Sequence, residues 1–540
     1  MNFNKLKLVS ISLFLFGSLS FGQSSPFSIA IEPINVPNLG GLQSFAFGQH
    51  NGKWLILGGR LDGLHQRQPF AAFDVAGHNT QLIVVDPVTK QRWTAAISSL
   101  PTAIQDQIKS TNSQFFQEGN YLYVTGGYGY SATLGDHTTF ANLTAIDVSA
   151  TINAVVNNTP FTSFFRQISD TKFQVTGGRL EKIYNTYYLI GGQKFLGRYN
   201  PMGPTHGPGF IQEYTNQIRK FTLSDNGTTM NITHLPAITD SNELHRRDYN
   251  AVAQIMPNGQ EGITAFSGVF QINADLPFLN CVNIDSSGYS PNNAFSQYYN
   301  HYHCANFPVY SDYYKEMNTI FFGGIAQYYD NAGTLVQDNN VPFVKTIAQV
   351  SRDASGNMAE YKLPIEMPSL LGAGSEFIPN LNLPRYHNGV LKLDSLTQDS
   401  TMVGYIYGGI SSTASNIFFS NTGTQSSASS QIFKVYLIKS KTYSLPELNK
   451  HSIGTLNLLI YPNPTPNDFK IEFELTKSSD VTISLMSSNG KLIEKTTLEN
   501  LSQGKNVFEK QVNTELSDGV YFVQVETDYE KSYRKLILKN

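Results

Sequence analysis

The sequence has few cysteines, few charged residues and only one long apolar run. Two cysteines in 540 residues are too few for a disulfide-rich scaffold or a multi-cysteine zinc module. Charged residues make up 15% and the formal net charge is −3, so the chain lacks the basic surface that nucleic acid requires. The abundant residues are instead glycine (43), phenylalanine (35) and tyrosine (29), which favours an all-β protein.

The one long apolar run lies at the N-terminus and has the layout of a secretory signal peptide. Lys5 and Lys7 precede an uncharged apolar stretch over residues 8–19, and a cleavage site follows between Gly22 and Gln23. The alternative of a membrane anchor is disfavoured because the run is short for a bilayer core of about 30 Å. Residues 1–22 are therefore predicted to be removed on export, and no transmembrane segment is expected in the mature chain.

A short apolar strand that ends in Gly-Gly recurs along the chain. Five full copies end at Gly58-Gly59, Gly126-Gly127, Gly191-Gly192, Gly323-Gly324 and Gly408-Gly409, and a degenerate copy ends at Ser267-Gly268. Each copy has a strand and a tight turn before it, and a long loop and an alternating strand after it. Four antiparallel strands per repeat predict the blades of a β-propeller. Paired glycines suit strand ends where two backbones approach closely.

This pattern resembles kelch repeats, over roughly residues 26–446, which implies a six-bladed kelch-like β-propeller. The repeats depart from the kelch pattern in two ways: the downstream tryptophan occurs only as Trp93, and the blades are long. The N-terminal strand over residues 27–32 is expected to complete the last blade. Residues 441–446 compete for that position, and a linker over residues 447–456 follows.

The tail, residues 457–540, differs in composition from the rest and is much richer in charged residues. Seven short alternating strands with turns near Gly490 and Gly519 predict a small antiparallel β-sandwich. The tail resembles the type A C-terminal sorting domain of the type IX secretion system of Bacteroidetes. The residues that carry this resemblance are Pro462, Asn463, Pro464, Gly519, Tyr521 and Lys535.

The resemblance implies a route and two partners. The protein is expected to cross the periplasm, to engage the type IX translocon and a surface sortase that removes the tail, and to end up secreted or attached to the outer-membrane surface. The alternative is a carbohydrate-binding or fibronectin-like appendage.

The long loops of the propeller are predicted to form one binding face, since connections alternate between the two ends of an up-and-down sheet. Arg247 and Arg385 precede predicted inner strands, so we expect them to hold an acidic group of a ligand together. Tyr249, His303 and His387 are expected nearby. Asp248 is expected to point away from Arg247, because successive strand residues face opposite sides. Interblade ion pairing is the alternative role for both arginines.

Two further residue pairs are candidates for chemical sites. His301 and His303 have the spacing of metal ligands on a strand, but no third ligand is recognisable, so neither a metal nor a cofactor is predicted. Cys281 and Cys304 are a candidate disulfide inside one blade, with two unrelated thiols as the alternative. No nucleophile elbow or phosphate loop occurs, and the sequence leans against an enzyme.

The resulting hypothesis is an exported propeller that binds a glycan or a surface protein through its long-loop face. A carbohydrate-active enzyme of the mutarotase, lyase or oxidase type on the same face is the first alternative. A structural part of a surface or gliding apparatus is the second alternative.

Overall fold

The computed structural model describes residues 25–67, 71–200, 209–440, 456–466, 468–487, 492–511, 516–527 and 530–539. The chain divides into two units, Met1–Thr442 and Tyr443–Asn540. Strands dominate both units, and the longest helix in the described part, Val148–Asn157, has 10 residues. Within that part, no helix is long and apolar enough to cross a membrane. The all-β class predicted from composition is therefore confirmed.

The first unit contains six antiparallel four-stranded arrangements, in five of which each strand pairs with the next strand of the sheet along the chain, while the sixth takes its outer strand from the N-terminus. Sheet 1 consists of Ala46–His50, Lys53–Leu57, Gln81–Asp86 and Gln91–Ala96, and sheet 2 of Gln114–Glu118, Tyr121–Thr125, Asn142–Asp147 and Phe165–Ser169. Sheet 3 consists of Arg179–Ile183, Thr186–Ile190, Gln217–Asp225 and Met230–Thr239, and sheet 4 of Asn250–Ile255, Glu261–Phe266, Cys281–Ile284 and Tyr289–Asn292. Sheet 5 consists of Asn306–Ser311, Glu316–Ile325, Phe343–Arg352 and Met358–Glu366, and sheet 6 of Ser375–Pro379, Ser400–Gly408, Ile432–Lys439 and the N-terminal Phe27–Ile34.

Shorter strands and helices lie in the connections between the strands of these sheets. Strands in the long loops form a four-stranded sheet of Tyr128–Ser131, Asp136–Thr139, Gln193–Leu196 and Ile211–Tyr214, and two hairpins, Tyr328–Asn331 with Thr334–Gln337 and Ile410–Ser412 with Ser426–Ala428. Leu391–Lys392 pairs in parallel with the first strand of sheet 5. The helices are Thr102–Ile108 and Val148–Asn157, with 3-10 turns at Val75–Gly77, Ile97–Ser99, Thr162–Phe164, Thr171–Phe173 and Leu393–Ser395.

The Gly-Gly pairs join each sheet to the next. The second glycine of each pair donates its backbone N–H to a carbonyl in the segment just before the next sheet. The six hydrogen bonds, of 2.7–3.2 Å, run from Gly59 to Ser110, Gly127 to Val175, Gly192 to Arg246, Gly268 to His301, Gly324 to Leu371 and Gly409 to Leu42. The first glycine of a pair has no room for a side chain. A Cβ at Gly126 would lie 1.9 Å from the Val175 oxygen, and one at Gly408 would lie 2.3 Å from the Leu42 oxygen. The repeated motif is thus explained by close backbone contact between sheets.

A second set of six hydrogen bonds runs around the inner ends of the sheets. Each residue donates its N–H to the carbonyl of the preceding one, in the order Ser44 to Gly374, Asn112 to Ser44, Gly177 to Asn112, Asp248 to Gly177, His303 to Asp248 and Gly374 to His303, at 2.7–3.2 Å. We call these six residues the peptide ring. The ring returns to its starting residue, which makes the arrangement propeller-like. Five of its members have φ between +49° and +70°.

Apolar side chains fill the spaces between neighbouring sheets. Leu55 and Leu57 of sheet 1 pack with Leu122 and Val124 of sheet 2 in one buried cluster, together with helix Val148–Asn157. A corresponding cluster joins sheets 5 and 6 and includes Phe27 of the N-terminal strand. The core therefore consists of layers between successive sheets, as expected for flat sheets that are apolar on both faces.

The N-terminal strand forms the outer edge of sheet 6. Phe27–Ile34 pairs antiparallel with Ile432–Lys439, from Phe27 opposite Lys439 to Ile34 opposite Ile432. The strand expected to complete the last blade thus pairs at the edge of sheet 6. The competing segment, residues 441–446, lies outside the described residues, as do the predicted signal peptide and its cleavage site at Gly22 and Gln23.

The second unit contains seven described strands in two sheets. One sheet has the order Leu459–Tyr461, Asp468–Leu475 and Gly504–Gln511, and the other has Leu492–Leu501, Ser479–Ser487, Gly519–Glu526 and Lys531–Leu538. Alternating apolar residues of both sheets, such as Ile471, Ile483, Val523 and Leu536, share one buried cluster. The alternation of apolar and polar residues that predicted strands in the tail therefore places the apolar side chains of these strands in the core.

Candidate functional site

A cavity of about 660 Å³ lies at the end of the first unit where the long loops gather. Residues connected to all six sheets line it: they lie in loops after the second strands or in segments leading into the first strands, except Ile325, which ends the second strand of sheet 5. The lining includes Arg60, His65, Arg67, Phe73, Tyr128, Gln193, Tyr199, Tyr214, His245, Arg247, Asp248, Phe270, Tyr302, His303, Ile325, Phe418 and Phe419. The peptide ring forms the floor, since Ser44, Asn112, Asp248, His303 and Gly374 also border this space.

Arg247 lies in this cavity, but its charge is already compensated. Its guanidinium forms an ion pair with Asp248 through Nη1, its Nε donates to the Tyr214 hydroxyl at 3.0 Å, and its Cζ lies 5.0 Å from the centre of the Phe270 ring. The expectation that Asp248 points away was wrong. Asp248 has φ +49°, so the alternation of an extended strand does not apply at this residue.

Arg60 is a second paired arginine in the wall. Its Nε donates to Asp62 at 2.7 Å, Nη2 pairs with the same carboxylate and also donates to the Asp74 carbonyl at 2.9 Å, and only 2% of the residue is exposed. Gly77 makes room for this guanidinium, because a Cβ there would lie 2.0 Å from Nη2. The remaining nitrogen, Nη1, is buried without a hydrogen-bond partner in the described part of the protein. Arg60 is thus held in place by Asp62 and the Asp74 carbonyl, and one of its nitrogens is left without a hydrogen-bond partner.

Aromatic rings cover the rest of the wall. Tyr214 stacks on His245 with ring centres 3.7 Å apart, and His65 stacks on Phe73 at 5.7 Å. Arg67 lies over Phe419, whose ring is 68% exposed. Burial lowers the pKa of His65 to about 4, and burial together with the nearby Arg247 lowers the pKa of His245. Both histidines are therefore neutral at pH 7.

His303 belongs to the cavity floor, and Tyr249 lies beneath it. His303 Nε2 is 2.9 Å from Glu376 Oε1, and Glu376 is 4% exposed. Tyr249 is buried, and its hydroxyl donates to the Ile190 carbonyl at 2.7 Å. Its ring borders only a space of about 20 Å³ below the peptide ring. Of the five residues predicted to bind ligand, the structure therefore places Arg247 and His303 in the cavity.

Arg385 and His387 lie at the other end of sheet 6, which corrects the prediction that they face Arg247. Arg385 was expected to precede an inner strand, whereas the inner strand of sheet 6, Ser375–Pro379, comes before it in the chain. Arg385 follows that strand and donates to the carbonyls of Gly389 and Asn380 at 2.9 and 3.2 Å. His387 is largely exposed and lies 3.5 Å from Glu261. Both residues belong to the connection between the first and second strands, away from the long loops.

Neither of the other residue pairs forms the site considered for it. His301 is buried, accepts from the Gln327 N–H and bonds the Gln297 carbonyl, and no group of three metal-ligating side chains occurs among the described residues. Cys281 and Cys304 are free and buried, contrary to the candidate disulfide. The Cys281 thiol contacts the Met358 sulfur at 3.7 Å, whereas the Cys304 sulfur accepts from the Asn250 side-chain amide at 3.8 Å. Burial raises the pKa of each thiol to about 12.

Most of the wall was missed by sequence reasoning, although a signal was present. The residue directly after the Gly-Gly pair lines the cavity in five of the six repeats: Arg60, Tyr128, Gln193, Ile325 and Ile410. The glycines end the second strand at the peptide ring, so the next side chain is delivered to the space above it. The position after the repeat was therefore a stronger indicator than proximity to a predicted inner strand.

The sorting motifs of the tail meet at the last strand. The Asn463 side chain donates to the Lys535 carbonyl at 2.6 Å and accepts from the Ile537 N–H at 2.8 Å. Thr465 continues this edge with backbone bonds to Ile537 and Lys539. Gly519–Glu526 pairs with the other edge of the same strand, and the Tyr521 hydroxyl donates to the Ser517 carbonyl at 2.8 Å. Pro462 and Pro464 flank Asn463 in the turn that presents it.

Comparisons with known proteins identify the tail. Residues 459–539 match the family of secretion system C-terminal sorting domains, which confirms the predicted type IX sorting domain. The chain therefore carries a tail that implies secretion or cell-surface attachment and interaction with the secretion machinery. No curated protein matches the sequence.

Two solved structures are similar to this chain at low identity. One is described as the structure of YjhT, with 12% identity, TM-score 0.38 and coverage of 74% of this chain and 95% of that one. The other is a glycoside hydrolase family 43 arabinoxylan arabinofuranohydrolase from Bacillus subtilis in complex with cellotetraose, with 10% identity, TM-score 0.26 and coverage of 80% and 96%. At these scores neither likeness bears on the function of this protein.

Proposed function

We propose that residues 26–446 form a closed six-bladed β-propeller of the kelch-like type. The support is the two sets of six backbone hydrogen bonds, each of which returns to its first sheet. In this proposal residues 1–22 are the signal peptide, residues 447–456 the linker, and residues 457–540 a small β-sandwich that a surface sortase removes in a Bacteroidetes cell.

The ligand of the long-loop cavity is proposed to be a neutral sugar unit of a glycan. The observation that carries this is that two of the three arginines in the cavity lining are paired with carboxylates, Arg60 with Asp62 and Arg247 with Asp248. The third, Arg67, lies over the Phe419 ring at the exposed edge of the cavity. A paired guanidinium adds little net attraction for an anion but still offers directed N–H donors. The acidic ligand expected from two unpaired arginines therefore loses its basis.

Sugars match the remaining chemistry of the wall. Hydroxyl groups accept from guanidinium N–H groups and donate to carboxylates such as Asp248, while the apolar faces of pyranose rings pack on aromatic side chains. Tyr214 and Phe270 lie directly beside Arg247, so donor, acceptor and aromatic face converge on one part of the wall. The cavity volume also falls within the usual range for small-molecule sites.

A glycan array probed with the purified protein tests this proposal. Binding to neutral glycans is expected, and Tyr214→Ala should weaken it because the variant removes an aromatic face and the partner of Arg247 Nε. Tyr313→Ala is the matched control, since Tyr313 is 52% exposed in the turn at the opposite end of sheet 5. Binding only to anionic glycans, or equal loss in both variants, would contradict the proposal.

A carbohydrate-active enzyme is the second candidate, and one contact favours it. His303 Nε2 at the cavity floor lies 2.9 Å from Oε1 of the buried Glu376 carboxylate, which is the separation that an acid–base pair needs, although the two atoms do not have the geometry of a hydrogen bond. Turnover of a bound sugar that is lost in His303→Gln, with binding retained, would favour this candidate over a binding protein.

A further inference from the structure

The floor of the cavity separates it from the channel between the inner strands. The peptide ring lies between the cavity of about 660 Å³ and a space of about 20 Å³. Ser44, Asn112, Asp248 and His303 border both spaces, so these ring residues form the partition. All six ring N–H groups and carbonyls bond to each other across this partition. Opening it requires breaking consecutive backbone hydrogen bonds.

A layer of charged side chains blocks the channel again beneath the ring. Arg179 on the first strand of sheet 3 reaches Glu376 on the first strand of sheet 6, with Nη1 3.8 Å from Oε2. Its Nε donates to Glu181 at 3.1 Å, and its Cζ lies 5.5 Å from the centre of the Phe115 ring. Residues from three sheets thus meet below the ring. A polymer that entered the cavity would have no path through the molecule.

The sides of the cavity are closed as well. Arg60, Tyr128, Gln193, Phe270, Ile325 and Ile410 come one each from the six successive sheets and surround the space. A groove that accommodates an internal stretch of a chain needs two open sides, whereas the described lining residues are distributed around the whole axis. In the described part of the protein, the cavity opens between the long loops.

We propose that the cavity is end-selective: it accepts the terminal unit of a glycan chain and excludes internal units. This inference rests on the proposed glycan-binding function and specifies which part of the glycan binds. The terminal unit meets Asn112, Asp248 and His303 at the floor, where a continuing chain would collide with the peptide ring. Arg60 Nη1 and Arg247 contact the same unit from the wall.

The test uses calorimetry with the purified protein and the neutral glycan that the array selects. The probes are a ladder of that glycan from two to six units and two hexamers, each blocked by a bulky group at one end. One ladder molecule should bind per protein at every length, with molar affinity changing less than threefold from three to six units. One blocked hexamer should lose binding more than 100-fold, while the other should bind like the free hexamer.

Two results would overturn the inference. Equal binding of both blocked hexamers, or several proteins bound along one long chain, would show that internal units are recognised. If no member of the ladder binds, the proposed function fails as well, so the two failures are distinguishable.

A floor variant supplies a second measurement. Asn112 has φ +52°, a conformation that glycine adopts readily, so Asn112→Gly keeps the ring backbone and removes one floor side chain. Because every ladder member places the same unit on the floor, affinity should fall by the same factor, about three- to tenfold, at all lengths. A loss that disappears with increasing length would contradict end-on binding.

Discussion

The backbone N–H of Ser44 donates a 2.8 Å hydrogen bond to the carbonyl of Gly374, joining the segment before sheet 1 to the segment before sheet 6. Ser44 and Gly374 are far apart in the sequence, whereas the other hydrogen bonds of the peptide ring join sheets that follow one another along the chain. The same bond closes the floor of the long-loop cavity. One contact therefore contributes both to the integrity of the first unit and to the shape of this cavity.

The Gly-Gly pairs should be sensitive to a single added methyl group. In Gly126→Ala the Cβ would lie 1.9 Å from the Val175 oxygen and the residue would keep φ +66°. Strain and the loss of the adjoining hydrogen bond predict destabilisation of about 3 kcal/mol or more. Gly119→Ala is the matched control: its φ is +56°, but nothing lies within 4 Å of a Cβ there, so about 1 kcal/mol is expected. Equal shifts in melting temperature would show that contact with the next sheet is unimportant.

The sequence allowed prediction of the repeated architecture better than of the site. The Gly-Gly pairs recur because a Cβ at the first glycine would collide with the backbone that leads into the next sheet. The motif therefore marked the ends of the second strands correctly. Asp248 was misjudged because the alternation rule assumes extended backbone, and this residue is left-handed. Arg385 was misjudged because the connection after Ser375–Pro379 contains a short strand, Leu391–Lys392, that pairs with sheet 5.

The sorting tail should be absent from the exported protein. Mass spectrometry of protein from the medium or cell surface is expected to find no peptides from residues 457–540, because the sortase removes them. A variant lacking these residues should accumulate in the periplasm. Intact tail on surface protein, or normal export of the truncated variant, would contradict this expectation.

Asn463 should hold the last strand of the tail in place. Asn463→Asp keeps an acceptor for the Ile537 N–H but replaces the donor with an oxygen that faces the Lys535 carbonyl. The uncovered strand edge should exchange its amide hydrogens faster and export should fall. Hydrogen-exchange mass spectrometry of the C-terminal peptide measures the first effect. Unchanged exchange at residues 535–539 would show that the side chain is dispensable there.

Glu360 should make folding stability depend on pH. Burial raises the pKa of its carboxyl to about 8, against an ordinary value of 4.5. The hydrogen bonds that this carboxyl accepts from the backbone N–H groups of Tyr298 and Tyr299 lower the pKa, but by less than burial raises it. The folded protein therefore retains a proton that the unfolded chain releases, so this stabilisation is complete below pH 4.5 and is lost as pH rises through about 8. Glu360→Gln should flatten the decline in melting temperature between pH 5 and pH 8.5. An identical decline in both proteins would assign it to other groups.

Arg247 and Arg385 provide a matched pair for testing the site itself. Arg247→Gln removes a donor from the cavity wall and should weaken binding of the neutral glycan by about 10- to 100-fold, the effect of losing a charge-assisted hydrogen bond worth about 1.5–3 kcal/mol. The fold should survive, because Asp248 keeps its backbone bonds to Gly177 and His303. Arg385→Gln should leave binding unchanged, since its guanidinium bonds only carbonyls of its own loop among the described contacts. Calorimetry measures affinity and thermal melting measures stability for each variant. Loss of affinity in Arg385→Gln, or a lowered melting temperature with intact binding in Arg247→Gln, would place the ligand outside the long-loop cavity.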